Sequence, residues 1–226
     1  MIKFLYIALI IILILVIAFA GWKFRGKRNS HKAVKENEAW EVALNENKAY
    51  KEKQIVFFGD SQIALWPMQS SFGVIPIKNR GVSGDFATKC MNRFREEVIR
   101  LNPNIIVLLT GTNDLNDGVL VTDIVRSIQN LIDKGKQVKA KFIICSLLPV
   151  NSKVADAGRP VSSILEINES LSRICQKEKL EFVNFYDPLI DDDGFFDKQY
   201  SDDGLHPNKQ GYFVMSGIIL PYIVKF

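Results

Sequence analysis

Short runs of buried-type residues that alternate with stretches of helical periodicity constrain this chain more than any other feature. The runs are Gln54–Phe58, Val74–Ile77, Ile105–Thr110, Phe142–Leu148 and Glu181–Phe185. Helical patterns lie among and after them at Phe86–Leu101, Val119–Lys134, Ser162–Glu178 and from Asn208 to Val224. A strand that is apolar throughout, rather than at every second residue, is buried on both faces. Strands of that kind alternating with helices predict an α/β fold, a three-layer α/β/α sandwich around a parallel sheet of about five strands. With 226 residues and 47% apolar content, the chain is long enough for one such domain plus an appendage. Ligands of these sheets gather beyond the carboxyl ends of the strands, so strand ends are where chemistry is expected.

The appendage is N-terminal. Phe4 to Trp22 are 19 consecutive uncharged and mostly apolar residues, about what one helix needs to cross roughly 30 Å of hydrocarbon. Residues 1–22 therefore read as a single transmembrane anchor. A cleaved signal peptide is the alternative, because Ala18, Phe19 and Ala20 form a small-residue pattern that a signal peptidase accepts. Six Lys/Arg follow directly after the span and by the positive-inside rule would keep the main domain in the cytoplasm, whereas the Ala-x-Ala pattern argues for the other side. Residues 23–53 read as a basic juxtamembrane segment and then an amphipathic helix or linker, with Trp40, Ala43, Leu44 and Ala49 near helical spacing. The domain proper is 54–226.

The first 35 residues hold seven Lys/Arg and no acid, whereas residues 36–226 hold 22 Lys/Arg against 25 Asp/Glu. The net charge of +4 thus belongs to the tail, and a nucleic-acid footprint on the domain is not expected. Cys90, Cys145 and Cys175 fall in a helix, a strand and a helix and read as small buried residues rather than a disulfide framework. No Cys pair stands at ligand spacing, and His206 is the one histidine within the domain, so no metal site is expected. The acidic run Asp191 to Gly194 lacks the spaced ligands of a calcium loop and reads as a surface turn.

Polar residues suited to chemistry follow three of the strand runs. Gly59-Asp60-Ser61 follows the first, Asn79 to Asp85 ("NRGVSGD") the second, and Gly111 to Asp114 ("GTND") the third. Just before the last helix comes Asp202 to Asn208, "DDGLHPN". Taken singly, Ser61 is an ordinary N-cap, Gly84 a turn glycine, Asn113 a loop residue, and Asp203 and His206 a solvated turn. Together and in this order, over about residues 54–210, the four pieces resemble the blocks of the SGNH hydrolases, the GDSL esterase/lipase family.

The resemblance implies the flavodoxin-like SGNH fold and ester hydrolysis with no cofactor and no metal. Carried over block by block, it makes Ser61 the nucleophile, His206 its base and Asp203 the partner that orients His206. It makes Ser61, Gly84 and Asn113 the donors of the oxyanion hole. The chemistry gives each a reason. A serine hydroxyl is a weak nucleophile near neutral pH and requires an adjacent base. The base in turn requires an acceptor on its other ring nitrogen. Gly84 has no side chain to block close approach, and Asn113 offers an N–H without a competing charge. Gly59 is expected to permit a sharp exit that leaves Ser61 exposed, with Asp60 and the Asp85 and Asp114 carboxylates bracing their loops. The motif is not the Gly-x-Ser-x-Gly elbow of the α/β-hydrolases.

The expected activity is that of a membrane-attached serine esterase whose partners are a small acyl-ester substrate (a lipid, a lysophospholipid or an O-acetylated glycan) and a membrane reached through residues 4–22. O-acyl transfer through the same acyl-serine step is one alternative. A non-catalytic SGNH-like domain that binds or scaffolds is another. The loops Gln62–Gly73, Leu115–Gly118, Val150–Pro160 and Ile190–Ser201 are expected to wall the pocket. Phe72, Phe195 and Phe196 serve an apolar acyl site, the core or exposed surface equally well.

Overall fold

The computed structural model describes residues 54–151 and 158–225. Five strands, β1 (Ile55–Gly59), β2 (Ile77–Gly81), β3 (Ile105–Leu109), β4 (Lys141–Cys145) and β5 (Glu181–Val183), form one sheet in the order β2-β1-β3-β4-β5. All four pairings are parallel. The order reverses between β1 and β3, so the crevice at the carboxyl end of β1 is the topological switch point where such sheets place their ligands. The Phe4–Trp22 span and the Glu36–Lys53 segment lie outside the described residues. Among the described residues no helix is long and apolar enough to cross a membrane.

Seven α-helices accompany the strands among the described residues: α1 (Ser61–Ala64), α2 (Met68–Phe72), α3 (Ala87–Glu97), α4 (Thr112–Asn116), α5 (Val121–Gly135), α6 (Val161–Glu178) and α7 (Lys209–Val224). Val56 and Phe58 of β1 and Ile106 and Leu108 of β3 join Phe94 of α3, Ile128 of α5 and Leu171 of α6 in one buried cluster. The alternate residues Ile55, Phe57, Ile105 and Val107 are equally buried and point to the opposite face. There Phe57 meets Trp66 and Phe72 at 5.4 and 5.5 Å between ring centroids. Trp66 in turn meets Tyr212 of α7 at 5.5 Å and donates its indole N–H to Ser216 Oγ of the same helix. Helices therefore cover both faces, and each fully buried side chain of this size contributes about 1.5–3 kcal/mol.

The second strand departs from the expectation. It is not Val74–Ile77 but the polar stretch Ile77–Gly81, which begins where the apolar run ends. The apolar run misleads because only Ile75 and Phe72 next to it turn inward, while Val74 is 64% exposed. β2 is an edge strand, so polar residues suit it. Asn79 then does a specific task there, donating its amide to Ile63 O at 2.7 Å and so holding α1 against the sheet. The three cysteines are free and buried, on α3, β4 and α6.

Candidate active site

The stretch after β1 builds the first half of the site. Asp60 is the N-cap of α1, its Oδ1 accepting from Gln62 N at 2.9 Å, and Ser61 is the first residue of that single turn. Gly59 is required here for close approach, since a Cβ would stand 1.7 Å from the Leu109 carbonyl oxygen of β3. Contrary to expectation Ser61 is buried, 6% exposed. Its residue is covered because α1 packs down on β2, yet its hydroxyl oxygen lies 3.0 Å from His206 Nε2.

The second half is the turn before α7. Asp203 Oδ1 accepts from Leu205 N and His206 N at 2.8 and 2.7 Å, and its Oδ2 lies 2.7 Å from His206 Nδ1. Ser201 Oγ donates to His206 O at 2.8 Å, and Asn208 caps α7 by accepting from Gln210 N and Gly211 N. Although partial burial of Asp203 works in the other direction, the His206 backbone N–H, the His206 ring and the Leu205 N–H hold its carboxyl down at about 2. An ionised carboxylate can only accept, so Nδ1 carries the proton and Nε2 presents its lone pair to Ser61.

Gly84 and Asn113 arrive from the ends of β2 and β3. Gly84 has φ +78°, a backbone conformation that glycine adopts at little cost. Asn113, in α4, donates Nδ2 to Asp85 O at 2.8 Å and thereby joins the two loops. Among the described residues neither the Ser61 nor the Gly84 backbone N–H has an acceptor. Asp114 is fully buried and caps α3 from a distance, accepting from Ala87 N, Thr88 N and Thr88 Oγ1. Ser61, Asp203 and His206 thus stand in one hydrogen-bonded row, and Gly84 and Asn113 meet around Asp85. A hydroxyl in such a row can lose its proton to imidazole as it attacks an electrophile.

Asp60 is the electrostatic exception. It is wholly buried and one carboxyl oxygen, Oδ2, has no hydrogen-bond partner. Burial pushes its carboxyl up to about 7, against the pull of the Gln62 and Gly111 backbone N–H groups and with a smaller push from Asp114 and Asp85. Among the described residues no three His, Cys, Asp or Glu are grouped to hold a metal ion.

The expected pocket walls are only partly walls. Gln62–Gly73 folds into α1 and α2 and buries Gln62, Ile63, Trp66 and Phe72. Phe72 and Phe196 are core residues, 3% and 0% exposed. A cavity of about 260 Å³ lined by Asn151, Lys198, Ser201, Asp202 and Gly204 brings the start of the third loop, whose residues 152–157 lie outside the described residues, to the end of the fourth, beside the Asp203 turn. Gln62 and Arg159 are among the positions that escaped the sequence reading. Gln62 donates Nε2 to Leu205 O at 2.8 Å, and buried Arg159 donates to Thr112 O and Asn116 Oδ1 at the two ends of α4. Neither carries a local pattern, since each acts on residues far along the chain. Asp191 to Gly194 forms a turn closed by Asp191 Oδ1, which accepts from Asp193 N and Phe195 N.

Residues 57–213 match the model of the GDSL-like lipase/acylhydrolase family. Among solved structures, a GDSL-like lipase from Bacteroides thetaiotaomicron is 29% identical, covers 84% of this chain and 97% of its own, and superposes with a TM-score of 0.69. A protein of Bacteroides fragilis provisionally assigned as an acylhydrolase is 28% identical over 78% of this chain and 88% of its own, also with a TM-score of 0.69. An acetylxylan esterase from Geobacillus stearothermophilus shares the fold at 16% identity, 78% and 96% coverage and a TM-score of 0.62. A search of curated proteins returns no match. The chain belongs to the GDSL-like lipase/acylhydrolase family, the SGNH hydrolases, whose members act on esters.

Proposed function

We propose that this chain is a membrane-attached serine esterase that hydrolyses an acyl ester of a lipid, a lysophospholipid or an O-acetylated glycan. The observation that carries the reading is the unbroken pair of contacts from Asp203 through His206 to Ser61. Ser61 Oγ attacks the carbonyl carbon while its proton passes to His206 Nε2, and Asp203 stabilises the imidazolium that results. Negative charge gathers on the carbonyl oxygen, which accepts from the Ser61 and Gly84 backbone N–H groups and from Asn113 Nδ2. Collapse breaks the ester C–O bond and the departing alcohol takes the proton from Nε2. A water then repeats the attack on the acyl-serine with the same base, releasing the acid and restoring Ser61. No step draws on a cofactor.

Residues 4–22 tether this enzyme to a membrane through a linker over 23–53, and 54–226 form the hydrolase domain. Attachment favours lipid or envelope-glycan esters, since substrate and enzyme then share one surface. The test is a fluorophosphonate, which phosphonylates activated serines, applied to the full-length chain in detergent beside Ser61→Ala. Modification mapped to Ser61 alone is expected. A folded, unlabelled wild type would turn the reading to a non-catalytic binding domain. Intact mass of the membrane-extracted protein tests the tether, because a mature chain starting at Gly21 means a cleaved signal and a secreted enzyme.

A further inference from the structure

We infer that Arg93 is a positioning residue for the oxyanion hole, holding the loops that bear its three donors in one frame. The inference rests on the reading of Ser61 as nucleophile and of Ser61, Gly84 and Asn113 as the donors. Arg93 lies on α3, away from the reacting atoms, with its side chain only 17% exposed. Its Nη2 donates to Gly59 O at 2.8 Å, two residues before Ser61. Its Nε donates to Asp85 Oδ2 at 2.6 Å, directly after Gly84, and Asp85 O is the acceptor of Asn113 Nδ2. Nη1 donates to Arg80 O at the end of β2 and to Glu97 Oε2 one helical turn on, each at 2.8 Å. The guanidinium lies over the Phe58 ring, 4.1 Å from its centroid.

One planar group therefore touches the ends of β1 and β2 and the loop after β2, whose Asp85 carbonyl holds Asn113. Packing of α3 does not require this. Phe94 and Cys90 already seat that helix in the core, and the β1–β2 ladder already pairs Gly59 with Gly81. What the ladder does not fix is the chain beyond it, where Gly84 and Asp85 lie. A guanidinium satisfies three directions at once in a fixed plane, which a lysine ammonium on a flexible stem does not reproduce. The ion pair with Asp85 and Glu97 balances its charge, so the effect on the oxyanion is one of geometry. Donors of this kind lose most of their value when displaced by a fraction of an ångström to about 1 Å.

The test is p-nitrophenyl acetate turnover by the full-length chain in detergent micelles, for wild type, Ser61→Ala, Arg93→Lys, Asn113→Ala and the double variant Arg93→Lys/Asn113→Ala. Arg93→Lys is expected to lower kcat about 30-fold with KM within about twofold, because the lost contact forms only as charge develops. In the Asn113→Ala background the same change is expected to lower kcat about tenfold or less, because one of the three donors that Arg93 positions is already gone. A kcat within twofold of wild type, or a full 30-fold loss that multiplies onto Asn113→Ala, overturns the inference and leaves Arg93 a packing residue. If Arg93→Lys does not fold, Asp85→Asn, which keeps the volume and the Phe86 N contact, is held to the same two outcomes. Equal turnover by wild type and Ser61→Ala instead overturns the nucleophile reading, which separates the two failures.

Discussion

Gln62 reaches across 143 positions of sequence to donate its side-chain amide to the carbonyl of Leu205 at 2.8 Å. That contact ties the residue after Ser61 to the residue before His206. The Gln62 carbonyl also accepts from Tyr212 OH of α7 at 3.0 Å, so the turn bearing the hydroxyl and the turn bearing the imidazole are joined twice. The 3.0 Å separation of Ser61 Oγ and His206 Nε2 is thus set by neighbours on either side of it.

Gln62→Ala should therefore lower kcat for an aryl acetate by about tenfold while the protein stays folded. The backbone contact from Tyr212 survives the change, and only the side-chain tie is lost. Steady-state kinetics beside a thermal melt checks this, with a net loss of about 1 kcal/mol expected for one buried hydrogen bond.

Asp203→Asn should lower kcat by about 10³- to 10⁴-fold and lower stability modestly near neutral pH, because the contribution of the ionised carboxylate goes with it. The amide can still accept from Leu205 N and His206 N, but it no longer compels the Nδ1–H tautomer. The carboxyl's folded pKa is depressed from 3.8 to about 2, so its stabilising effect is complete above about 4 and is lost as pH falls toward 2. Acid unfolding of Asp203→Asn should accordingly be shallower than that of wild type in that window, as circular dichroism against pH would read.

The sheet and the four motif blocks were legible in the sequence because buried parallel strands are apolar throughout and because the blocks fall at strand ends, where the topology concentrates ligand sites. β2 was misplaced since an edge strand carries little apolar signal, and its Lys78, Asn79 and Arg80 resemble a loop. The burial of Ser61 was missed for a related reason: a serine at the end of a buried strand reads as emergent until α1 is seen to fold back onto β2. Gln62, Arg93 and Arg159 were illegible as site residues. Gln62 and Arg159 act on partners 143 and 47 positions away, and Arg93 joins its nearby partners Asp85 and Arg80 to Gly59, 34 positions back, so these ties exist only once the sheet has brought the strand ends together.

Asp60→Asn should flatten the pH dependence of stability between about 4 and about 7. Burial raises this carboxyl from 3.8 to about 7, so over that interval the unfolded chain has released a proton that the folded chain keeps. Stability then falls as pH rises, by at most about 1.4 kcal/mol per pH unit. The asparagine keeps the N-cap oxygen that accepts from Gln62 N and has no proton to lose. Urea midpoints at a series of pH values give the slope directly, and an unchanged slope in the variant would assign it to another group.

Gly59 and Gly84 should fail differently when each becomes alanine. At Gly59 a Cβ would meet the Leu109 carbonyl oxygen at 1.7 Å and the carbonyl carbon at 2.8 Å. Both are backbone of the neighbouring central strand, which cannot move without opening the β1–β3 ladder. Gly59→Ala is expected to destabilise the fold by about 3 kcal/mol or more, visible as a lowered urea midpoint and poor recovery of soluble protein. At Gly84 nothing lies within 4 Å of the added carbon, and the strain comes from φ +78° alone. That conformation costs a non-glycine residue about 1–2 kcal/mol, which the loop can relieve by rotating its peptide. The rotation turns the Gly84 N–H away from where the substrate oxygen would lie. Gly84→Ala should therefore melt within a few degrees of wild type yet lose at least about tenfold in kcat, whereas equal losses of stability in the two variants would show that Gly84, like Gly59, serves the fold.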